Sequence, residues 1–114
     1  MATLTAQKIT QAGLTPTYAS AAVAGDLVLN TGIQYFHVKN GSGVSVTSSV
    51  TPVVSTVVDP LLGTLVKEIA TLVLAAGEEG FLGPFETAAF NSTTGTIEIE
   101  YTAVTSVTVA ALYI

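Results

Sequence analysis

The sequence predicts an all-β protein: a single-domain antiparallel β-sandwich, jelly-roll-like, with an extended N-terminal arm. Three observations carry that prediction. In Thr96 to Thr102, the residues Ile97, Ile99 and Tyr101 alternate with Thr96, Glu98, Glu100 and Thr102. In Ser106 to Tyr113, the residues Val107, Val109 and Ala111 alternate with Ser106, Thr108, Ala110 and Leu112. Successive side chains in a strand point to opposite faces, so a period of two marks a strand and sorts its residues between those faces. The second run is apolar or small on both faces, so it should be covered on both sides, inside a sandwich or at a subunit contact. The third observation is punctuation: Gly, Pro and Asn turns separate strand-length segments along most of the chain.

Taken in order, Thr3 to Thr10 carries Leu4, Ala6 and Ile9 among polar residues and reads as a short edge strand or an ordered arm. Gln11 to Gly25 holds Gly13, Pro16 and a run of small residues from Ala19 to Ala24. Pro16, Gly25 and the lack of an amphipathic stripe favour an extended loop over a helical turn. Residues 1–25 are therefore an arm or edge strand packed on the domain or on a neighbour, and residues 26–114 are the sandwich. Asp26 to Leu29, then Asn30-Thr31-Gly32, then Ile33 to Lys39 reads as a hairpin, because Asn and Gly supply the positive φ of tight turns. After the turn Asn40 to Gly43, Val44, Val46, Ser48 and Val50 alternate with Ser45, Thr47, Ser49 and Thr51, the pattern of a half-buried strand.

Between Pro52 and Gly63, Val53-Val54 and Val57-Val58 favour extended structure, while Pro52 and Asp59-Pro60 interrupt it. From Thr64 to Ala76 two periods compete. Leu65, Ile69, Leu72 and Val73 fit one helical face, whereas Leu65, Lys67 and Ile69 against Val66, Glu68 and Ala70 fit a strand. The strand reading agrees with its neighbours, and local preferences generally agree with the global fold. Glu78-Glu79-Gly80 reads as a loop. Phe36, Phe81, Phe85, Phe90, Tyr35 and Tyr101 are expected mostly in the core.

Composition bounds the function. The chain has 114 residues, enough for one core. It is 49% hydrophobic and only 10% charged, against a usual charged share of ~25%. Thr, Ser, Ala and Gly therefore dress its surface, which suits a protein packed against copies of itself or a partner. The alternative is an uncharged monomeric β-domain. The net charge is −5, with no Arg and only Lys8, Lys39 and Lys67 as cations. Binding to nucleic acid or to an anionic membrane needs clustered cations, so neither is expected. No apolar run reaches the ~20 residues of a membrane span, and Met1 to Thr5 lacks the start of a secretory signal. With no Cys there is no disulfide, no thiolate nucleophile and no Cys-held zinc.

No catalytic, cofactor-binding or metal-binding residue is assigned, and no small-molecule substrate is expected. His37 is the single histidine and shares a strand face with Ile33, Tyr35 and Lys39. It reads as a hydrogen-bonded strand or interface histidine, since a general base or metal site would need partners that no second His or Cys supplies. Glu98 and Glu100 fall on one face of one strand and form an acidic stripe, unlike glycosidase carboxylates, which flank a sugar from separate elements. Asp26 beside Gly25 and Asp59 beside Pro60 read as turn residues. Gly41-Ser42-Gly43 lacks the Lys and the following helix of a phosphate loop.

Several stretches resemble a known family. They are Ile9 with Leu14 to Ala19, then Gly25-Asp26, then Phe36 to Gly41, then Gly83-Pro84-Phe85, Phe90-Asn91 and Tyr101 to Ala111. Together they are similar to tailed-bacteriophage head decoration, or capsid cement, proteins; residues 51–69 match least. The resemblance implies a β-sandwich virion protein on the capsid exterior, often trimeric, whose partner is the major capsid protein and which is made in the bacterial cytoplasm. On that reading Leu4, Ile9, Leu14 and Tyr18 of the arm are the expected capsid-binding residues. Val107, Val109, Leu112 and Tyr113 of the last strand are the expected self-association residues. Another virion part, such as a head-fibre base or a tail or head–tail connector component, is an alternative, as is a carbohydrate-binding β-sandwich.

Overall fold

In the computed structural model, residues 2–53, 56–61, 63–66 and 68–114 are described. The elements run β1 (Ala2–Thr3), β2 (Gln7–Lys8), β3 (Ala19–Ser20), β4 (Asp26–Leu29), β5 (Tyr35–Asn40), β6 (Val46–Val50), β7 (Thr56–Asp59), β8 (Gly63–Val66), β9 (Ala70–Leu74), β10 (Glu79–Leu82), α1 (Thr87–Phe90), β11 (Thr96–Tyr101) and β12 (Val107–Tyr113). The fold is mostly β, as expected. One sheet, called sheet 1 here, has the order β1-β4-β11-β6-β9. Sheet 2 has the order β10-β5-β12-β2, with β3 also pairing β12, and β7 and β8 form a separate two-stranded ribbon.

The two runs read first in the sequence are inner strands of opposite sheets. From β11, Ile97 and Ile99 point inward, and from β12, Val107, Val109 and Ala111 do the same. They meet Val28, Phe36, Val38, Val46, Val50 and Leu74 in one shared core. The shortest dimension is 22 Å, which fits two sheets packed ~10 Å apart with their outward side chains.

Four expectations change. The sheets are mixed, since β1 runs parallel to β4 and β2 parallel to β12. The N-terminal residues return along two strands in the same direction instead of folding back from them. Asn30-Thr31-Gly32 does not close a hairpin: β4 lies in sheet 1 and β5 in sheet 2. Asn30 is buried and ties the crossing together, donating from Nδ2 to Phe85 O at 3.1 Å and to Asn91 Oδ1 at 2.6 Å. Glu79 to Leu82 is a strand, not a loop. Its alternation is hidden by Gly80, where an added Cβ would lie 3.2 Å from Leu72 and Leu74 side-chain carbons. Finally, Asp26 is no surface turn residue. It is fully buried, and its Oδ2 accepts from Tyr101 OH at 2.8 Å and from the Ala22 amide at 3.3 Å.

Between residues 63 and 74 both segments are strands. The side-chain alternation expected around Leu65 and Lys67 falls largely outside the described residues, as does Val54. The tight approach at Gly25, with φ +97, explains its identity: a Cβ there would come within 2.9 Å of Ile99 O.

Candidate functional site

The densest group of chemically capable side chains lies on the outer face of sheet 2. Register builds it. Opposite His37 of β5 stand Ala110 of β12 on one side and Phe81 of β10 on the other. Opposite Lys39 stand Thr108 and Glu79 in the same way. Tyr35, His37 and Lys39 alternate along β5 and therefore share this face.

The N-terminal segment borders it: β2 and β3 both pair with β12, whereas β1 pairs with β4 of sheet 1. The Leu4 amide donates to Leu27 O at 2.6 Å, and the Ile9 amide donates to Tyr113 O at 2.8 Å. Gln7 closes the intervening loop with two bonds to the Thr17 backbone, at 2.8 and 2.9 Å. That clamp delivers Tyr18 to His37, where the phenol hydroxyl bonds Nδ1 at 2.5 Å. The Lys39 ammonium sits 4.1 Å from the Tyr18 ring centroid, in cation–π geometry. Phe81 stacks on the imidazole with centroids 4.4 Å apart, and Tyr35 meets the Phe81 edge.

His37 is buried, and its Nε2 finds no hydrogen-bond partner; Glu79 Oε1 is 3.6 Å away, beyond hydrogen-bond reach but close enough for charge to be felt. Burial lowers the imidazole pKa below its ordinary value and Lys39 lowers it further, while Glu79 opposes both. Burial and Lys39 thus favour the neutral ring, whose Nδ1 bonds the Tyr18 hydroxyl and whose Nε2 faces Glu79. Tyr18 and His37 are hydrogen-bonded but Glu79 is not joined to them, so no continuous proton relay is made, and neither of two clefts on the molecule is lined by His37. The arrangement fastens the N-terminal segment to the sheet.

Those two clefts lie elsewhere. One, about 410 Å³, runs between the N-terminal segment and β12, lined by Leu4, Gln7, Tyr18 and the small side chains Ala110 and Ala111. The other, about 310 Å³, crosses the outer face of sheet 1 beside Leu27, Val53, Phe90, Glu98 and Glu100. Partial burial and the neighbouring Glu100 raise the Glu98 pKa, the behaviour of an acidic stripe. Tyr101 is pushed far above the ordinary phenol range by burial and by Asp26. Among the described residues no group of three or more His, Cys, Asp or Glu is placed to hold a metal ion. None of their helices is long and apolar enough to cross a membrane.

The residues assigned from sequence separate into two sets. Leu4 and Ile9 are half-buried edge residues, Leu14 is exposed on the loop, and Tyr18 is the latch to His37. Val107, Val109 and Leu112 are buried within the protomer, at 1%, 0% and 3% exposure. They have no surface to offer a second copy, because β12 is an inner strand covered on both faces; Tyr113 is half-buried opposite Lys8. Sequence reasoning missed Phe81, which is 61% exposed and not core. Its signal was the two-residue spacing from Glu79, obscured by the intervening glycine. No family model, no curated protein and no solved structure matches this chain.

Proposed function

We propose that this chain is a non-enzymatic structural protein of a bacteriophage virion, one that decorates the capsid exterior and stabilises the shell by bridging major capsid subunits. One observation carries the reading. Eleven large hydrophobic side chains are exposed among the described residues, as many as all the charged residues of the sequence, three basic and eight acidic. Scattered single apolar residues are ordinary on a surface. Parity with charge is not, and it suits a protein whose surface is largely hidden against neighbours. The resemblance to decoration proteins names the neighbour. Many modest contacts, at ~25 cal/mol per Å² of apolar area, add up over a shell.

The finer fold assignment belongs to this reading. Nearly every connection between long strands crosses from one sheet to the other, which supports jelly-roll-like wrapping. Residues 2–20 hold on by three two-residue strands, which supports their use as an arm that engages the capsid. The test is to mix the purified protein with expanded shells lacking it and image them by electron microscopy. Regular added density on the shell exterior is the expected result; its absence, or density at a fibre base or the connector, overturns the decoration role. Deleting residues 2–12 is expected to abolish shell binding while the sandwich stays folded by circular dichroism.

A carbohydrate-binding module is the second reading, favoured by the exposed Phe81 ring backed by His37 and edged by Tyr35. It predicts calorimetric oligosaccharide binding that Phe81→Ala removes.

A further inference from the structure

With β12 sealed inside the protomer, self-association needs another surface, and the geometry points to β9: two copies join by antiparallel β9–β9 pairing across a two-fold axis at Leu72. This inference rests on the assembly reading above and specifies its contact.

Among the described residues β9 is the last strand of sheet 1, hydrogen-bonded to β6 on one side and to no strand on the other; β10 packs against it through the inward-facing side chains of Leu72 and Leu74, not through its backbone edge. A strand with one open edge presents a row of backbone donors and acceptors, and proteins blunt such edges with charge, proline, bulges or shortness. The other outermost strands of sheets 1 and 2 are blunted: β1 and β2 have two residues each, and β10 carries Glu79 and Gly80. β9 has no such device. Its sequence, Ala70-Thr71-Leu72-Val73-Leu74, is free of charge, proline and glycine. Outward-facing Val73 is 63% exposed, and Ile69 just before the strand is 55% exposed.

The occupant is a second copy because the strand complements itself. A two-fold at Leu72 pairs all five residues. It sets Thr71 opposite Val73 twice on the outer face, a β-branched pairing that suits a sheet. On the inner face it sets small Ala70 opposite large Leu74 twice, with Leu72 against its own copy. Inner face continues into inner face, since a two-residue period preserves facing when the paired numbers sum to an even value. Charge agrees. Copies of a chain with net charge −5 repel, so they meet best along a neutral stretch. Carried one step beyond each end of the strand, this register puts Glu68 opposite Ala76, so no two carboxylates meet there. Sheet 1 would then continue through the contact into the same sheet of the partner.

The test is light scattering over a concentration series, on wild type, Val73→Lys and the control Leu29→Lys, whose exposed side chain lies on the same sheet away from the edge. Wild type is expected to run as a dimer. Val73→Lys should self-associate at least tenfold more weakly, and Leu29→Lys should match wild type. The Thr71→Cys/Val73→Cys double variant reads the register. Opposed residues in an antiparallel pair have Cα atoms roughly 4.5–5.5 Å apart, within disulfide range. The native chain has no Cys, so oxidation should give a covalent dimer only through this contact, and this result decides if Val73→Lys fails to fold. An oligomer unchanged by Val73→Lys, or a trimer with no cross-link, overturns the β9 contact and leaves the shell-protein reading standing. A monomeric wild type also overturns it, including the case where Val73→Lys stops the monomer binding shells, which would mean that the edge accepts a capsid strand. Failure of every variant and of wild type to bind shells overturns the decoration reading instead.

Discussion

On the outer face of sheet 2, His37, Ala110 and Leu112 are buried under or beside the N-terminal segment; on the outer face of sheet 1, Leu29 and Val73 stand in the open beside Glu98 and Glu100. Both faces belong to the same sandwich and back the same core. The difference follows from the strand at the middle of each sheet. β11 alternates Ile with Thr and Glu, so its outer side tolerates water. β12 places Ala110 and Leu112 outward, so its outer side needs a cover, and the chain supplies its own with Tyr18 fastened to His37. A face that the protein covers itself meets a partner only through that cover, and a face left bare can meet one directly.

Five substitutions probe that contrast, beginning with the largest effect. Ala110→Asp puts a carboxylate on this buried face, opposite His37 and diagonal to Lys39, and even with that partial compensation should destabilise by about 2–3 kcal/mol. Leu29→Asp on the other sheet should cost no more than about 1 kcal/mol. Urea midpoints for the two variants measure the contrast directly, and equal costs would erase it. Tyr18→Phe removes the hydroxyl bonded to His37 Nδ1 and leaves that buried nitrogen unpaired, which should cost about 1–3 kcal/mol. Hydrogen exchange should then speed up in residues 7–20 while the amides of β11 stay as slow as in wild type.

Acid should act on the covered face first. Burial holds the His37 pKa below the ordinary 6.5. The folded protein therefore binds its imidazole proton less readily than the unfolded chain does. Stability from this group is complete above pH 6.5 and declines as the pH falls from there through the folded-state value. His37 is the only histidine, so a step in the urea midpoint within that window is its own, and His37→Gln should abolish it. The smallest effect belongs to the open face. Glu100→Gln removes the like charge beside Glu98 and should raise stability at neutral pH by at most about 0.5 kcal/mol, with the Glu98 titration, followed by NMR, moving to lower pH.

Particular residues show how far the sequence could be read. The alternation of Ile97, Ile99 and Tyr101 with Thr96, Glu98 and Glu100 is a local property, and every one of those side chains faces as the period requires. The two-sided apolarity of β12 likewise announced that both its faces would be covered, though not that Tyr18 of the N-terminal segment would help to cover the second. The latch was only half legible. His37, Tyr35 and Lys39 share a face by simple counting, but Tyr18 lies 19 residues away and Phe81 arrives on a strand that Gly80 disguised. Asp26 next to Gly25 looked like a turn residue, because its hydrogen-bond partner Tyr101 stands 75 positions along the chain.

By itself, then, the sequence determined the class of structure, the facing of residues along each strong strand and the poverty of surface charge. All three depend on residue type and on spacings of a few positions. Tertiary structure alone decided which strands became neighbours. Asn30-Thr31-Gly32 carries the residues of a tight turn, yet the chain there crosses between sheets, with Asn30 bonded to Phe85 O and Asn91 and β4 paired with β11. Strand pairing joins segments far apart in the chain through backbone groups that every residue shares. The choice among partners therefore rests on burial summed over the whole sandwich, and so does the position of β9 at the end of its sheet.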